Sequence, residues 1–161
     1  MTNKRVNLHA TAIVLDRRGY LIMGRSGSGK STLGMSLLND AERAGRFAAL
    51  ISDDQVFIEN RHGRLIACRP ETIRGLIEIR YSGIVSLQSV SRAVIDAILL
   101  PVNANSERLP EDASSREVLA GLSLPVIHMD LIHSHPYAVM NVLMRAWKDK
   151  ALGLSQAAHS G

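Results

Sequence analysis

Three observations in the sequence predict an α/β fold with a mixed sheet and flanking helices. Residues 24–31 form a glycine-rich stretch between a short apolar run and a segment of helical periodicity. Residues 47–51 are apolar without alternation, which is typical of a central strand covered on both faces. Ser52, Asp53 and Asp54 follow that run directly, and ligand chemistry collects at the carboxyl ends of strands in open α/β sheets.

The first part of the chain is expected to place a hairpin before the glycine-rich stretch. Residues 6–15 carry a strand-like apolar pattern, with the strand beginning around His9, and a polar turn separates them from apolar residues 20–23. After the stretch, leucines at helical spacing predict a helix over residues 30–44. Gly45 is suited to end this helix, because glycine readily adopts the left-handed conformation at a helix C-terminus.

The remaining elements follow from periodicity and turn residues. First come a hairpin over 55–67 and a short helical or irregular segment over 70–78. Two strands are then expected over 84–90 and 93–102, and the second is expected to be central. They are followed by a polar loop over 103–115, a helical turn over 116–122, a last strand over 125–129 and a helix from Pro136 to about Lys150. The apolar face of that helix is expected to hold Val139, Val142, Leu143, Ala146 and Trp147. Residues 1–150 are interpreted as one domain and 151–161 as a flexible tail.

Composition restricts the class of protein. Of 161 residues, 46% are hydrophobic and 21% are charged, which is typical of a folded globular domain and not of a disordered chain. The net charge of +4 suits an acidic substrate, but no Lys/Arg run with interleaved aromatics supports nucleic-acid binding. Cys68 is the single cysteine, which excludes an internal disulfide. Since no apolar leader or bilayer-length run is present, we expect no membrane contact and a cytoplasmic location.

The glycine-rich stretch fits the pattern G-x-x-x-x-G-K-[ST], which between a strand and a helix predicts a phosphate-binding loop. Its glycines let backbone N–H groups turn toward a polyphosphate at a helix N-terminus. Lys30 is expected to reach the β- and γ-phosphates, and the Ser31 hydroxyl to bind Mg²⁺. The predicted nucleotide-binding residues are Gly24, Arg25, Ser26, Gly27, Ser28, Gly29, Lys30, Ser31 and Thr32. The sequence therefore predicts a site for ATP or another polyphosphate together with Mg²⁺.

Acidic residues elsewhere offer a base and a metal ligand. Asp53 and Asp54 are adjacent, so on an extended segment their carboxylates point to opposite sides, and one can face the phosphate loop. A carboxylate in that place can act as a base toward an alcohol, and the alternative is that the pair only caps a turn. Glu78 can complete the Mg²⁺ shell, and the alternative is a surface ion pair with Arg80.

The histidines are less informative. His9, near the start of a strand, is by itself more typical of a structural residue than of a catalyst. His128, His133 and His135 cluster near the C-terminus without the spacing of a metal site, so no role is assigned to them.

From residue 6 to residue 109, the order of these segments resembles the catalytic domain of HPr kinase/phosphorylase. The segments are His9-Ala10, the phosphate loop, Asp53-Asp54, an E-I-R-x-x-G pattern at residues 78–83, and Glu107-Arg108-Leu109. The resemblance implies a P-loop kinase fold like that of phosphoenolpyruvate carboxykinase. It also implies a hexameric enzyme that phosphorylates a serine of the phosphocarrier protein HPr with ATP and Mg²⁺, and that can reverse the reaction with inorganic phosphate.

The same resemblance implies roles for residues that match the pattern. Asp54 would accept the proton of the serine hydroxyl, and Lys30 would bind the transferred phosphate. Ser31 and Glu78 would hold Mg²⁺. The full set of catalytic residues implied in this way is His9, Lys30, Asp53, Asp54, Arg80 and Arg108.

Three departures from the family pattern bear on function. The N-terminal domain usual in the family is absent, so a short form made of the catalytic domain alone is expected. Tyr81 stands where the family has glycine, so backbone freedom and contacts with a protein substrate are expected to differ. No basic Gly-Arg-Asn loop follows Leu124, so the kinase direction is expected and the reverse direction stays open. Two other hypotheses also stay open, namely a kinase for a small metabolite and a nucleotide-sensing module that binds without turnover.

Overall fold

The structure, a computed structural model, describes residues 4–102 and 115–157, with side chains described up to residue 146. In chain order the elements are β1 (Val6–Leu8), β2 (Thr11–Leu15), β3 (Arg18–Ile22), α1 (Lys30–Arg43), β4 (Ala48–Ser52), β5 (Val56–Arg61), β6 (Arg64–Cys68), β7 (Leu76–Ile79), β8 (Gly83–Ser86), β9 (Arg92–Val102), β10 (Ser115–Leu119), β11 (Leu122–Asp130) and α2 (Pro136–Ala157). A 3₁₀ turn, Glu71–Ile73, precedes β7.

The strands form a mixed sheet around the long strand β9. This strand runs parallel to β3 and β11, and antiparallel to β6. The order across the sheet is β1-β5-β6-β9-β3-β2-β4, with β10 attached through β11, while β7 and β8 form a separate hairpin. The predicted α/β fold with a mixed sheet is confirmed, and β9 is the central strand that its apolar sequence indicated.

Side chains that alternate along the sheet supply two hydrophobic clusters, one on each face. In β2, Ile13 and Leu15 belong to one cluster and Val14 belongs to the other, as the period of two in a strand requires. Leu37 of α1 and Met140 of α2 both lie in the first cluster. The two helices therefore cover the same face of the sheet.

The first strand of the predicted hairpin is divided at His9. β1 pairs with β5, whereas β2 pairs with β3 and β4, so the chain changes neighbours at the bend between Leu8 and Thr11. The hairpin expected before the phosphate loop is confirmed by the pairing of β2 with β3. The division places His9 at a bend and not inside a strand.

β4 corrects the expectation of a central strand at residues 47–51. Every residue of β4 is buried, as predicted, but the strand is the last one in the order of the sheet. Its outer edge bonds to a loop, since the Leu50 N–H donates to Gln88 O and the Val90 N–H donates to Leu50 O, each at 2.9 Å. An apolar run therefore predicted burial correctly, but it did not fix the number of neighbouring strands.

Two expectations for the C-terminal third were wrong. Residues 116–122, expected to form a helical turn, belong to β10 and its turn into β11, because they pair antiparallel with β11. Helix α2 continues to Ala157 and does not end near Lys150, so the expected boundary at residue 151 falls inside a helix. Residues 103–114 of the expected polar loop lie outside the described residues.

Helix α2 presents only part of its predicted face to the core. Val139 and Leu143, both predicted, pack against the first cluster, and Met140, which was not predicted, is fully buried in it. Val142 is instead 66% exposed, and Ala146 is also exposed. The side chain of Trp147 lies outside the described residues. The core-facing stripe is therefore rotated away from the one that the apolar residues alone suggested.

Gly19 marks a close approach of two parallel strands, and replacing it with alanine is expected to destabilise the fold. A Cβ at this position would overlap the backbone carbonyl oxygen of Val94 in β9, and the Gly19 N–H also donates to Asp96 Oδ2 at 3.0 Å. We expect Gly19→Ala to lower the free energy of unfolding by about 1–3 kcal/mol, measured by urea denaturation. Gly121→Asn is the control, because its site is open and asparagine tolerates its positive φ; equal loss in both variants would contradict the steric explanation.

Candidate functional site

An open cavity of about 570 Å³ lies where β3 and β4 end and β2 begins. It is lined by His9, Thr11, Ser26, Gly27, Gly29, Lys30, Ser31, Thr32, Asp53, Asp54, Glu78 and Arg80. Because β2 runs antiparallel to both β3 and β4, the two carboxyl ends meet at the start of β2. Five of the six predicted catalytic residues thus line one cavity, and the sixth, Arg108, lies outside the described residues.

The phosphate loop has the backbone that its glycines allow. Gly24, Gly27 and Gly29 have φ angles of 154°, 78° and 96°, values that side chains other than glycine rarely adopt. Gly29 is the N-cap of α1, it makes no side-chain cap hydrogen bond, and no acidic residue lies in the first helical turn. The N–H groups and positive dipole end of α1 are therefore directed at the cavity, and no acidic residue of the first helical turn lies beside them.

The side chain of Lys30 is hydrogen-bonded to the backbone of the phosphate loop. It is only 7% exposed, and its Nζ donates to the carbonyl oxygens of Gly24 at 3.1 Å and Arg25 at 3.0 Å. The two bonds position a buried ammonium group at the wall of the cavity. A cation in this place attracts a phosphate group strongly, because charge-assisted hydrogen bonds in a partly buried site are strong.

Three of the predicted nucleotide-binding residues belong to the loop but do not line the cavity. Gly24 and Arg25 supply the carbonyl oxygens that Lys30 binds. Ser28 closes a turn through its N–H, which donates to Arg25 O at 3.0 Å, and a Cβ on Gly24 would contact its hydroxyl at 2.6 Å. In this structure these residues shape the loop, while Ser26, Gly27 and Thr32 face the cavity.

Asp53 is a buried acceptor for two hydroxyl groups. It is 7% exposed, and its Oδ1 accepts from Thr11 Oγ1 at 2.6 Å and from Ser31 Oγ at 2.8 Å. The Ser31 contact joins the end of β4 to the first turn of α1, and so fixes the serine relative to the loop. Thr11 was missed by the sequence reasoning, although a polar residue at the start of the apolar segment 10–15 was a usable signal.

Asp54 lies beside Asp53 in the same cavity, but it is exposed. Its side chain is 67% exposed, and its Oδ1 lies 2.8 Å from Nδ1 of His9, whose side chain is 54% exposed. Asp54 has a φ of 70°, so the extended alternation that predicted opposite directions for the two carboxylates is broken here. The pair makes side-chain contacts with Thr11, Ser31 and His9, which is a different arrangement from the turn cap held as the alternative.

Glu78 and Arg80 reach the cavity from the β7–β8 hairpin. Glu78 lies in β7, and Arg80 is the first residue of the turn that follows it. Among the ion pairs of the described chain, none joins these two side chains. The surface ion pair considered from the sequence is therefore not formed, and both side chains are left directed at the cavity.

The C-terminal histidines lie apart from the cavity. His128 in β11 has its pKa lowered by burial. His133 Nδ1 lies 3.0 Å from Asp130 Oδ2, and backbone N–H groups, first that of His133, lower the pKa of Asp130. His135 Nε2 lies 3.7 Å from Asp40 on α1. Within residues 4–102 and 115–146, no three histidine, cysteine or carboxylate side chains converge as a ready-made metal centre.

Comparison with known proteins shows the family to which this chain belongs. A family model described as HPr Serine kinase C-terminal domain matches residues 1–159. The chain belongs to this family. The resemblance carried by its motifs is thereby confirmed, and it extends well beyond residue 109, the last residue of those motifs.

Curated members of the HPr serine kinase family match most of the chain at moderate identity. The HPr kinase/phosphorylase of Lactobacillus acidophilus is 28% identical over 138 residues, which are 78% of this chain and 41% of that protein. The HPr kinase/phosphorylase of Ralstonia nicotianae is 30% identical over 154 residues, which are 84% of this chain and 43% of that protein. The chain spans about half the length of the curated relatives that it matches, or less.

A solved structure of the HPr serine kinase family matches the fold. The structure titled as the Hpr(Ser) kinase/phosphatase from Coxiella burnetii superposes with a TM-score of 0.72 at 25% identity, covering 91% of this chain and 98% of that chain. The P-loop kinase fold predicted from the sequence is thus confirmed. In the part of the chain that the structure describes, no helix is long and apolar enough to cross a membrane.

Proposed function

We propose that this member of the HPr serine kinase family is a protein serine kinase that uses ATP and Mg²⁺ and phosphorylates HPr. The observation that carries the proposal is the convergence of three groups on one cavity. These are the phosphate loop with Lys30, the buried contact of Ser31 with Asp53, and the exposed pair formed by Asp54 and His9. Phosphoryl transfer needs charge neutralisation, a metal site and a residue that positions the nucleophile. The three groups in this cavity would meet these requirements.

The loop suits the polyphosphate of a nucleotide. Its glycines have positive φ angles, and the N-terminus of α1 has no side-chain cap, so backbone N–H groups are available to phosphate oxygens. Lys30 adds a buried positive charge at the same wall. ATP bound here would present its terminal phosphate toward Asp54, which lines the same cavity.

The donor set of the cavity fits Mg²⁺. The ion prefers hard oxygen ligands, takes few protein carboxylates, and keeps several waters along with substrate phosphates. Ser31 and Glu78 would hold it, and Asp53 would fix the orientation of the Ser31 hydroxyl through their 2.8 Å hydrogen bond. When bound, the ion neutralises phosphate charge.

Asp54 would receive the proton of the acceptor hydroxyl. In the proposed step the serine oxygen of the acceptor forms a bond to the terminal phosphorus while the bond from phosphorus to the bridging oxygen breaks. The serine proton passes to the Asp54 carboxylate, and His9 orients that carboxylate through the 2.8 Å contact. A carboxylate that is 67% exposed at the cavity mouth suits a hydroxyl carried by a folded protein, which cannot enter a closed pocket. This exposure favours a protein acceptor over a small metabolite.

Transfer to purified HPr tests the proposal. The chain is incubated with Mg²⁺, ATP labelled on its terminal phosphate, and either HPr or an HPr variant whose acceptor serine is alanine. We expect label on a serine of HPr, none on the variant, and none when Mg²⁺ is chelated. ATP consumption without label on HPr, stimulated by a small alcohol, would favour a metabolite kinase. Tight ATP binding with no transfer would favour a nucleotide-sensing module.

The family resemblance also suggests where this chain acts and how it assembles. We infer that it acts in the cytoplasm, where HPr would meet it, and that it forms homo-oligomers, with a hexamer as the specific expectation. Sedimentation velocity at micromolar concentration measures the second property, and a single monomeric species would contradict it.

A further inference from the structure

The β7–β8 hairpin carries an unusual turn at the mouth of the cavity. The turn is closed by the Ser82 N–H, which donates to Ile79 O at 2.9 Å, and Tyr81 occupies its third position with a φ of 66°. Positive φ at that position is the requirement that normally selects glycine in a type II turn. Tyr81 is also 95% exposed, so burial in the described chain does not explain a bulky residue in this strained conformation.

The same hairpin is continuous with the cavity. Ile84 is the cross-strand partner of Glu78, and directly opposed residues of an antiparallel pair project from the same face. Glu78 lines the cavity, and Ile84 is 69% exposed. Arg80 lines the cavity as well, and its guanidinium lies over the Tyr81 ring at 5.3 Å from the centroid. Two large apolar side chains thus stand next to two residues of the site.

The Tyr81 side chain gains no burial within the described chain that would offset the strain of its positive φ. Such a residue points to a role of the side chain outside the fold. Exposed aromatic and aliphatic groups that are contiguous with a functional site are typical of a contact surface. The surface that must come close to Asp54 during transfer is the part of the acceptor protein around its serine. Because Glu78 and Arg80 line the same cavity as Asp54, the hairpin tip would lie beside that surface.

We propose that Tyr81 and Ile84, here called the acceptor rim, bind an apolar patch that flanks the acceptor serine of the protein substrate. This inference rests on the proposed function. The rim residues are positioning residues, because they would hold the acceptor surface and do not touch the reacting atoms. Their contribution is therefore expected in the KM for the protein acceptor, and not in nucleotide affinity or in the rate of the bound complex.

Steady-state transfer to HPr by matched variants tests the acceptor rim. Tyr81→Gly removes the ring and relieves the positive φ, so its melting temperature is expected to be no lower than that of the wild type. We expect about a tenfold or larger rise in KM for HPr, as for truncation of an aromatic interface anchor, with kcat and ATP affinity unchanged. Tyr81→Phe should stay near the wild type, and Ile84→Thr should raise KM. His62→Gly is the control, because His62 is an exposed residue with a φ of 53° at another hairpin turn, outside the cavity lining.

The outcomes separate this inference from the proposed function. Normal transfer by the wild type with an unchanged KM in Tyr81→Gly would overturn the acceptor rim and leave the kinase proposal standing. A fall in kcat at constant KM would also overturn it. So would a change in oligomeric state as the main effect of Tyr81→Gly, since the rim would then be an interface between copies of the chain. A wild type that transfers nothing to HPr would overturn both proposals.

Discussion

Asp54→Asn is expected to lower the rate of phosphoryl transfer to HPr by about 10²-fold or more, the usual range for removing a general base. The variant keeps the shape of the side chain and its proximity to His9, which lies 2.8 Å away, but it cannot accept the serine proton. Asparagine also tolerates the φ of 70° at this position. The affinity for ATP should therefore stay at the wild-type value, measured by calorimetry beside the single-turnover transfer rate.

Asp16→Asn is the matched control for this effect. Asp16 is an aspartate with a φ of 56°, it pairs with Arg46 at 3.6 Å, and it does not line the cavity. We expect transfer by this variant to match the wild type. Equal rates for Asp54→Asn and the wild type would assign the proton to another acceptor and refute the role given to Asp54.

Lys30→Met is expected to lower transfer by about 10²–10³-fold, as for removal of one preorganised group that binds transition-state charge. Methionine retains an unbranched stem for a position that is 7% exposed, so most packing is kept. The ammonium group and its hydrogen bonds to the carbonyl oxygens of Gly24 and Arg25 are lost. Because the loop also loses this brace, the affinity for ATP should fall together with the transfer rate.

Lys4→Met controls for the loss of one positive charge, because Lys4 is exposed and outside the cavity lining. Its ATP affinity and transfer rate should equal those of the wild type. A melting temperature for Lys30→Met close to the wild-type value would separate loss of function from loss of folding. Wild-type transfer by a folded Lys30→Met variant would contradict the assignment of Lys30 to the phosphates.

The local chemistry of the site could be predicted from the sequence because it is encoded in contiguous segments. The phosphate loop, its flanking strand and helix, and the end of the helix at Gly45 all follow from glycine positions and apolar spacing. The sequence also indicated that one of the two adjacent carboxylates can face the phosphate loop, and Asp53 makes this contact through the Ser31 hydroxyl.

The features that the sequence did not provide depend on partners far along the chain. Residues 116–122 are extended because β11 offers them a pairing partner, and no local pattern reports that partner. The left-handed conformation of Asp54 likewise brings two adjacent carboxylates to one cavity, against the alternation expected of a strand. Thr11 contributes a hydroxyl to Asp53 from 42 residues away in the chain. Long-range pairing and a single unusual φ angle therefore account for these three features.

A crystal structure of the chain with HPr and a non-hydrolysable ATP analogue gives the most direct test of the central claim, which is that Asp54 takes the proton from a serine of another protein. The measured quantity is the distance from the Asp54 carboxylate to the acceptor serine oxygen. We expect about 2.6–3.2 Å, the range required for direct proton transfer, with the serine aligned toward the terminal phosphorus. A carboxylate turned away from the serine, with another residue at hydrogen-bond distance, would contradict the account.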